Sequence, residues 1–394
     1  MEFGYKIYWW RILKKNFDIY LFFAVLLLVI IGIIMIYSSS YIWAEYKFND
    51  AFKYVKQQAI FALVGIFLIY LISNIDYKLY YDKAASIFII CVILLILVLI
   101  PGVGSIRNGS RSWFGIGPFG IQPSEAAKLS LIILTSKYLS KYNKDIKKIK
   151  KGVVPILGLL FFIFGLIMLQ PDFGTGMIIV VSILAMLFVS GVDIKFFIGL
   201  GSIGVIGIIL LIIIAPYRID RITSFINPWK DPLGTGFQII QSLYAIGPGG
   251  LLGQGFLKSR QKHFYLPEPQ TDFIFSILSE EFGILGVVIV SILFLLILYR
   301  GTKIALKCNT LFGKYLAFGM VFQILIQAIM NLMVVIGLIP VTGVTLPFLS
   351  YGGSSLLVSM ASIGIILNIS KNNNWWQKSK FIRSAFFVSF LKNW

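Results

Sequence analysis

The chain has 394 residues, 58% of them hydrophobic and only 13% charged, with a formal net charge of +19. Apolar runs long enough to cross a bilayer recur from end to end, which excludes a soluble globular domain and defines an all-α polytopic membrane protein. A single histidine, His263, excludes clustered imidazole ligands for zinc, and two cysteines, Cys91 within a span and Cys308 in a loop, exclude a disulfide frame.

Residues 1–16 mix aromatics with Lys6, Arg11, Lys14 and Lys15, as suits a segment lying at a headgroup interface on the cytoplasmic side. The first apolar run after it is too long for a cleavable signal peptide. Hydropathy predicts ten spans, at 17–40, 53–73, 84–101, 122–140, 153–170, 174–190, 194–216, 272–299, 314–338 and 347–369, within one membrane domain over 17–370. Ten spans put both termini on one side. With the N-terminus inside, the inner segments hold 22 Lys and Arg and the outer loops 11, six of these in the long loop 217–271 between the seventh and eighth spans. That bias predicts a cytoplasmic membrane protein with both termini in the cytoplasm. The run KYNKDIKKIKKG at 141–152 then reads as a topology signal attracted to anionic lipid, not as a nucleic-acid patch, and the amphipathic tail 371–394 lies on the inner leaflet.

The outer loops and the span ends next to them carry the polar chemistry. GIGPFG (115–120) has the spacing of a dinucleotide fingerprint, but no βαβ unit fits around it, so the loop 102–121 reads as a compact surface loop. QPSEAAKL (122–129) opens a helix with Pro123 and sets Glu125 three residues before Lys128, either as a structural ion pair or as a group that meets an anionic substrate. In QPDFGTG (170–176) Asp172 reads as a turn or cap residue. The loop 217–271 is too long for a simple connection. FQIIQSLYAI within it predicts a short amphipathic helix and GPGGLLGQG an elbow, while Arg218, Arg221, Lys258, Arg260 and Lys262 make the region basic. Gln323, Gln327 and Asn331, four apart, predict hydrogen-bond glue between helices. Gly352, Gly353, Ser354 and Ser355 allow close helix approach or local unwinding around a cavity.

The centre of the chain is LPEPQTDFIFSILSEEFG, residues 266–283. A helix starting near Thr271 would stack Asp272, Ser276 and Glu280 into one polar stripe on an apolar rod. A carboxylate beside hydrocarbon is costly unless it faces a cavity, partner or substrate, which makes Asp272 the candidate functional acid. The alternative is a helix cap, with Thr271 or Asp272 accepting backbone N–H groups.

Taken together, YSSS (37–40), RSWFGIGPFGIQPSEAAKL (111–129), QPDFGTG (170–176), RITSFINPWKDPLGTGFQIIQS (221–242), LPEPQTDFIF (266–275) and LPFLSYGGSS (346–355) resemble, in order, the SEDS proteins of shape, elongation, division and sporulation. The wording is closer to the division and sporulation branch (FtsW and stage V sporulation protein E) than to the elongation branch (RodA). The resemblance implies a ten-helix peptidoglycan glycosyltransferase that polymerises lipid II beside a class B penicillin-binding transpeptidase, with Asp272 at the position of the family's essential acid. Such a reaction needs a base for the attacking sugar hydroxyl and cations for the departing diphosphate. Asp272 is the expected base, with Lys128, Arg221 and Arg218 near the diphosphate, Glu125 and Glu280 orienting them, Ser354 beside the substrate, and a divalent cation, Mg or Mn, left open. A lipid II flippase is the alternative, since Gly/Pro-broken helices and polar stripes also describe transporters.

Overall fold

A computed structural model describes residues 17–107, 110–115, 120–146, 148–202, 204, 225–234 and 236–372. The described helices include α1 (Ile19–Phe48), α2 (Lys53–Ser73), α3 (Lys78–Leu99), α4 (Pro123–Lys141), α5 (Val154–Met168), α6 (Phe173–Val189), α7 (Phe237–Ile246), α8 (Ile274–Lys307), α9 (Leu311–Val335) and α10 (Gly353–Lys371). Seven helical segments among the described residues are long and apolar enough to cross a membrane, and α6 is a shorter apolar helix. α4 has the length of a span, but Glu125, Lys128, Lys137 and Lys141 lower its hydropathy. Each expected span except that over 194–216, most of which lies outside the described residues, overlies one of these helices. The expected tail beyond 372 and the segment 1–16 also lie outside them.

Helix starts follow local chemistry. Asp18 caps α1 by accepting the Leu21 N–H at 3.1 Å, Thr310 caps α9 by accepting from Gly313, and Pro123 opens α4, where its missing N–H costs nothing. Asp18 also binds the Arg300 guanidinium at 2.6 Å, joining the beginning of α1 to the later part of α8.

α9 is the hub. It packs against α8, α4, α6 and α10, while α10 lies mainly against α2, and α8 lies against α1 and α7. Both α9 and α10 are mostly buried within the bundle, whereas α1, α2, α3 and the later part of α8 present Leu27, Leu63, Ile90 and Leu295 outward, as hydrocarbon-facing helices do. Gly353 lets α10 close on α2, since a Cβ there would fall 2.6 Å from the Phe61 ring.

Two features differ from expectation. The loop 102–121 contains an antiparallel hairpin, β1 (Ser105–Arg107) with β2 (Ser110–Trp113). The Asn108-Gly109 dipeptide between the strands is a strong short-range hairpin signal and went unread because the surrounding sequence is not alternating. Second, α8 starts at Ile274, later than the expected Thr271, and breaks at Gly283, where φ is 59°. A Cβ at Gly283 would stand 2.5 Å from the Gly253 nitrogen, so the break needs glycine.

Candidate active site

A chamber of about 1050 Å³ lies among the starts of α4, α6, α8 and α10 and the hairpin. Its lining includes Tyr54, Trp113, Glu125, Asp172, Glu268, Gln270, Asp272, Thr345 and Tyr351. Four carboxylates from three separate chain segments thus face one space. Among the described residues no three His, Cys, Asp or Glu side chains form a group that could hold a metal ion.

Asp272 sits in the turn that precedes α8. The helix carries no side-chain cap, so the capping alternative fails. The Thr271 hydroxyl lies 2.9 Å from Asp272 Oδ1 and 2.8 Å from the Glu268 carbonyl, to either of which it donates. Removal from bulk water pushes the Asp272 carboxyl up from its ordinary value to about 6; the Thr271 hydroxyl and its own backbone N–H pull it down less, and Glu268 nearby pushes it up further. The residue keeps partial contact with the chamber while protein surrounds it on its other sides. A carboxylate of this kind is ionised at neutral pH yet basic enough to take a proton from a hydroxyl.

The turn is fixed from two directions. Asn331 of α9 donates from Nδ2 to the Asp272 carbonyl at 2.7 Å and to the Val344 carbonyl at 2.8 Å. The Tyr351 N–H donates to the Gln270 carbonyl at 2.8 Å, and the Tyr351 hydroxyl reaches Gln57 Oε1 at 2.6 Å. The polar face expected to glue helices together binds turns through Asn331, and both helices α4 and α10 and a turn through Gln327. Gln327, one turn before Asn331, donates to the Thr345 carbonyl at 3.0 Å and accepts from Lys128 Nζ at 2.8 Å.

Lys128 is almost wholly buried and also bonds Glu125 Oε1 at 2.9 Å. The pair is made within α4, and the link across to α9 is the Lys128–Gln327 bond. Glu125 lines the chamber and Lys128 lies behind it. Asp172 caps α6 through the Thr175 N–H and also accepts from Gln122 Nε2 at 2.9 Å and Ser124 Oγ at 3.2 Å, so its cap and a tie to the start of α4 are one group. Ser354 donates to the Gly120 carbonyl and accepts the Gln122 N–H, holding the α4 entry to the start of α10; its neighbour Ser355 lines the chamber.

Glu280 stands apart, and the expected stripe through Asp272, Ser276 and Glu280 does not form, because Asp272 precedes the helix. Ser276 bonds Ser242 of α7 at 2.8 Å. Glu280 is buried away from the chamber lining and accepts from Ser259 Oγ at 2.6 Å and the Arg260 N–H at 2.7 Å. Beside it, Glu281 binds Lys262 Nζ at 2.7 Å and Ser38 Oγ at 2.6 Å, all three side chains being buried. The break at Gly283 releases backbone groups that bind the same loop: the Glu280 and Glu281 carbonyls accept from Gln254 and Gly255, and the Ile284 and Leu285 N–H groups donate to Gly250 and Leu251. The expected elbow at 247–255 is thus pinned to α8. Arg218 and Arg221 lie outside the described residues.

The fold and chamber define a polytopic helical membrane protein in which a carboxylate, that of Asp272, lines a polar chamber and has no ion-pair partner among the described residues. The family model described as "Cell cycle protein", that of FtsW, RodA and SpoVE, matches residues 18–375, and the chain belongs to this family. It is 52% identical to Stage V sporulation protein E of Bacillus subtilis over 362 residues, covering 92% of this chain and 99% of that one. It is 38% identical to the probable peptidoglycan glycosyltransferase FtsW of Geobacter sp. strain M18, covering 90% and 97%. A chain from a solved peptidoglycan synthase complex, described as coordinating polymerization and crosslinking, superposes with a TM-score of 0.76 at 31% identity, covering 91% and 98%. The likeness to the division and sporulation branch agrees with the sequence reading.

Proposed function

We propose that this protein is a peptidoglycan glycosyltransferase that polymerises lipid II at the outer face of the cytoplasmic membrane, with Asp272 as general base. The observation that carries the assignment is Asp272 itself, a carboxylate that caps no helix, lines a polar chamber and is raised by burial to about 6. In the reaction, a sugar hydroxyl loses its proton to Asp272 as its oxygen bonds to the anomeric carbon of a second lipid-linked sugar. The bond from that carbon to the diphosphate oxygen breaks, and the electron pair leaves with the diphosphate. Lys128, held behind Glu125, fixes the chamber wall and is not assigned to the leaving group. Arg218 and Arg221 remain the proposed cations for the diphosphate, on the strength of their place in the basic loop. The partner is proposed to be a class B penicillin-binding transpeptidase, on the analogy of the solved synthase complex.

Reconstitution in vesicles with labelled lipid II tests the assignment. Polymer is expected; translocated but unpolymerised lipid II would replace the enzyme reading with a flippase, and neither product would leave a scaffold. Orientation is tested separately. The excess of Lys and Arg in the inner segments predicts that a single cysteine at Asn143 is shielded from an impermeant reagent in intact cells while one at Lys258 reacts. Labelling at Asn143 from outside would invert the topology.

A further inference from the structure

We propose that Asn331 is the positioning residue for Asp272: its side-chain amide ties the main chain of the turn that carries Asp272 to the neighbouring lining segment at Val344 and so fixes where the carboxylate points. This rests on the assignment of Asp272 as the base.

Asn331 is fully buried on α9, the hub of the bundle, and does not line the chamber. One Nδ2 group supplies two donors at 2.7 and 2.8 Å, to the Asp272 and Val344 carbonyls. Only the amide nitrogen suits two carbonyl acceptors, which leaves Oδ1 buried with no partner among the described residues. A buried, unsatisfied oxygen is a cost the site bears in exchange for that orientation. The two bonded carbonyls belong to two of the chain segments that line the chamber, 267–272 and 341–345. Gln327, one turn away on the same face, binds the next residue of the second wall, Thr345, as well as Lys128. The polar face of α9 is therefore a rigid reference against which the base is set. A general base works only when held within hydrogen-bond reach of its proton, and a displacement near 1 Å costs on the order of 10² in rate.

The test compares wild type, Asn331→Ala and Asn331→Asp in the purified lipid II polymerisation assay, with Asp272→Asn as the inactive reference. Asn331→Ala is expected to lower kcat by about 10² with KM for lipid II changed less than about twofold, because the turn loses its register while the lining groups remain. Asn331→Asp keeps the volume but, when ionised, turns an acceptor toward both carbonyls, so its kcat should fall below that of Asn331→Ala. The acidic limb of the kcat profile should also move in Asn331→Ala, since a released turn admits water to Asp272; a residue that only stabilised the fold would lower the active fraction and leave that limb in place. Wild-type kcat, an unmoved limb, or loss of lipid II binding in both variants would each overturn the proposal. If the wild type itself makes no polymer, the glycosyltransferase assignment fails first, whatever the Asn331 variants do.

Discussion

Asp272→Asn is expected to abolish polymerisation while leaving the protein folded and able to bind lipid II. Asn preserves the size of the side chain and the oxygen that faces the Thr271 hydroxyl, but it cannot take a proton at neutral pH. Stability should move the other way. The folded carboxyl sits near 6, above its ordinary 3.8. Its ionised form is therefore disfavoured in the folded protein, a cost fully present above about pH 6 and gone below about pH 4. Two units correspond to at most about 3 kcal/mol, less here because the group keeps partial contact with water. Replacing Asp272 with a neutral isostere removes that cost at pH 7, so the melting temperature should hold or rise as activity disappears. In the wild type, kcat should fall as pH drops through about 6, following protonation of the base. An Asn variant that polymerises at close to the wild-type rate would return Asp272 to a structural role, as would a wild-type profile flat between pH 5 and 8.

The span pattern was legible in the sequence because a bilayer demands long apolar helices and little else satisfies their backbone. Asp272 was legible because an acid next to hydrocarbon has few inexpensive environments. The contacts of the other polar residues were not. Glu280 looked like part of a stripe only if the helix began at Thr271; moving the start to Ile274 and breaking the rod at Gly283 sent Glu280 and Glu281 to the loop. Periodicity cannot register a break inside an unbroken apolar run, although the isolated Gly283 was a hint. Gln323, Gln327 and Asn331 read as hydrogen-bond glue between helices; Gln327 does join α9 to α4 and α10, but spacing along one helix does not say whether a partner is another helix or, as for Asn331, a turn some 13 to 59 residues away in sequence. Lys128 and Glu125 share a face at three residues' separation, so their pairing was available from sequence; that the lysine ends behind the wall depends on where α9 places Gln327.

Breaking the Lys262–Glu281 pair should produce the largest loss of stability of any single change outside the apolar core. The ammonium and carboxylate are 2.7 Å apart with no side-chain exposure. Lys262 also reaches Ser38 of α1 at 3.2 Å and lies over the Tyr41 ring. Three elements meet there: α1, the loop that leads to Asp272, and the first part of α8. Removing one member strands its partner in a region with no solvent, at a cost of about 3–5 kcal/mol, whereas an exposed pair such as Lys56–Asp50 is screened by solvent and contributes little. Lys262→Met and Glu281→Gln are thus each expected to lower the melting temperature sharply in detergent. The double variant should recover most of the loss, because a methionine and an amide fill the same space without an orphaned charge. Polymerisation should follow stability in the single variants, since residues 263–272 run from this anchor to Asp272, the proposed base. Glu280, which accepts from the Ser259 hydroxyl and the Arg260 N–H, stays in place in all three variants and keeps the loop tethered to α8. If either single variant melts within a degree of wild type, the pair contributes no more than a surface contact, and the loop is held by Glu280 and the backbone bonds around Gly283.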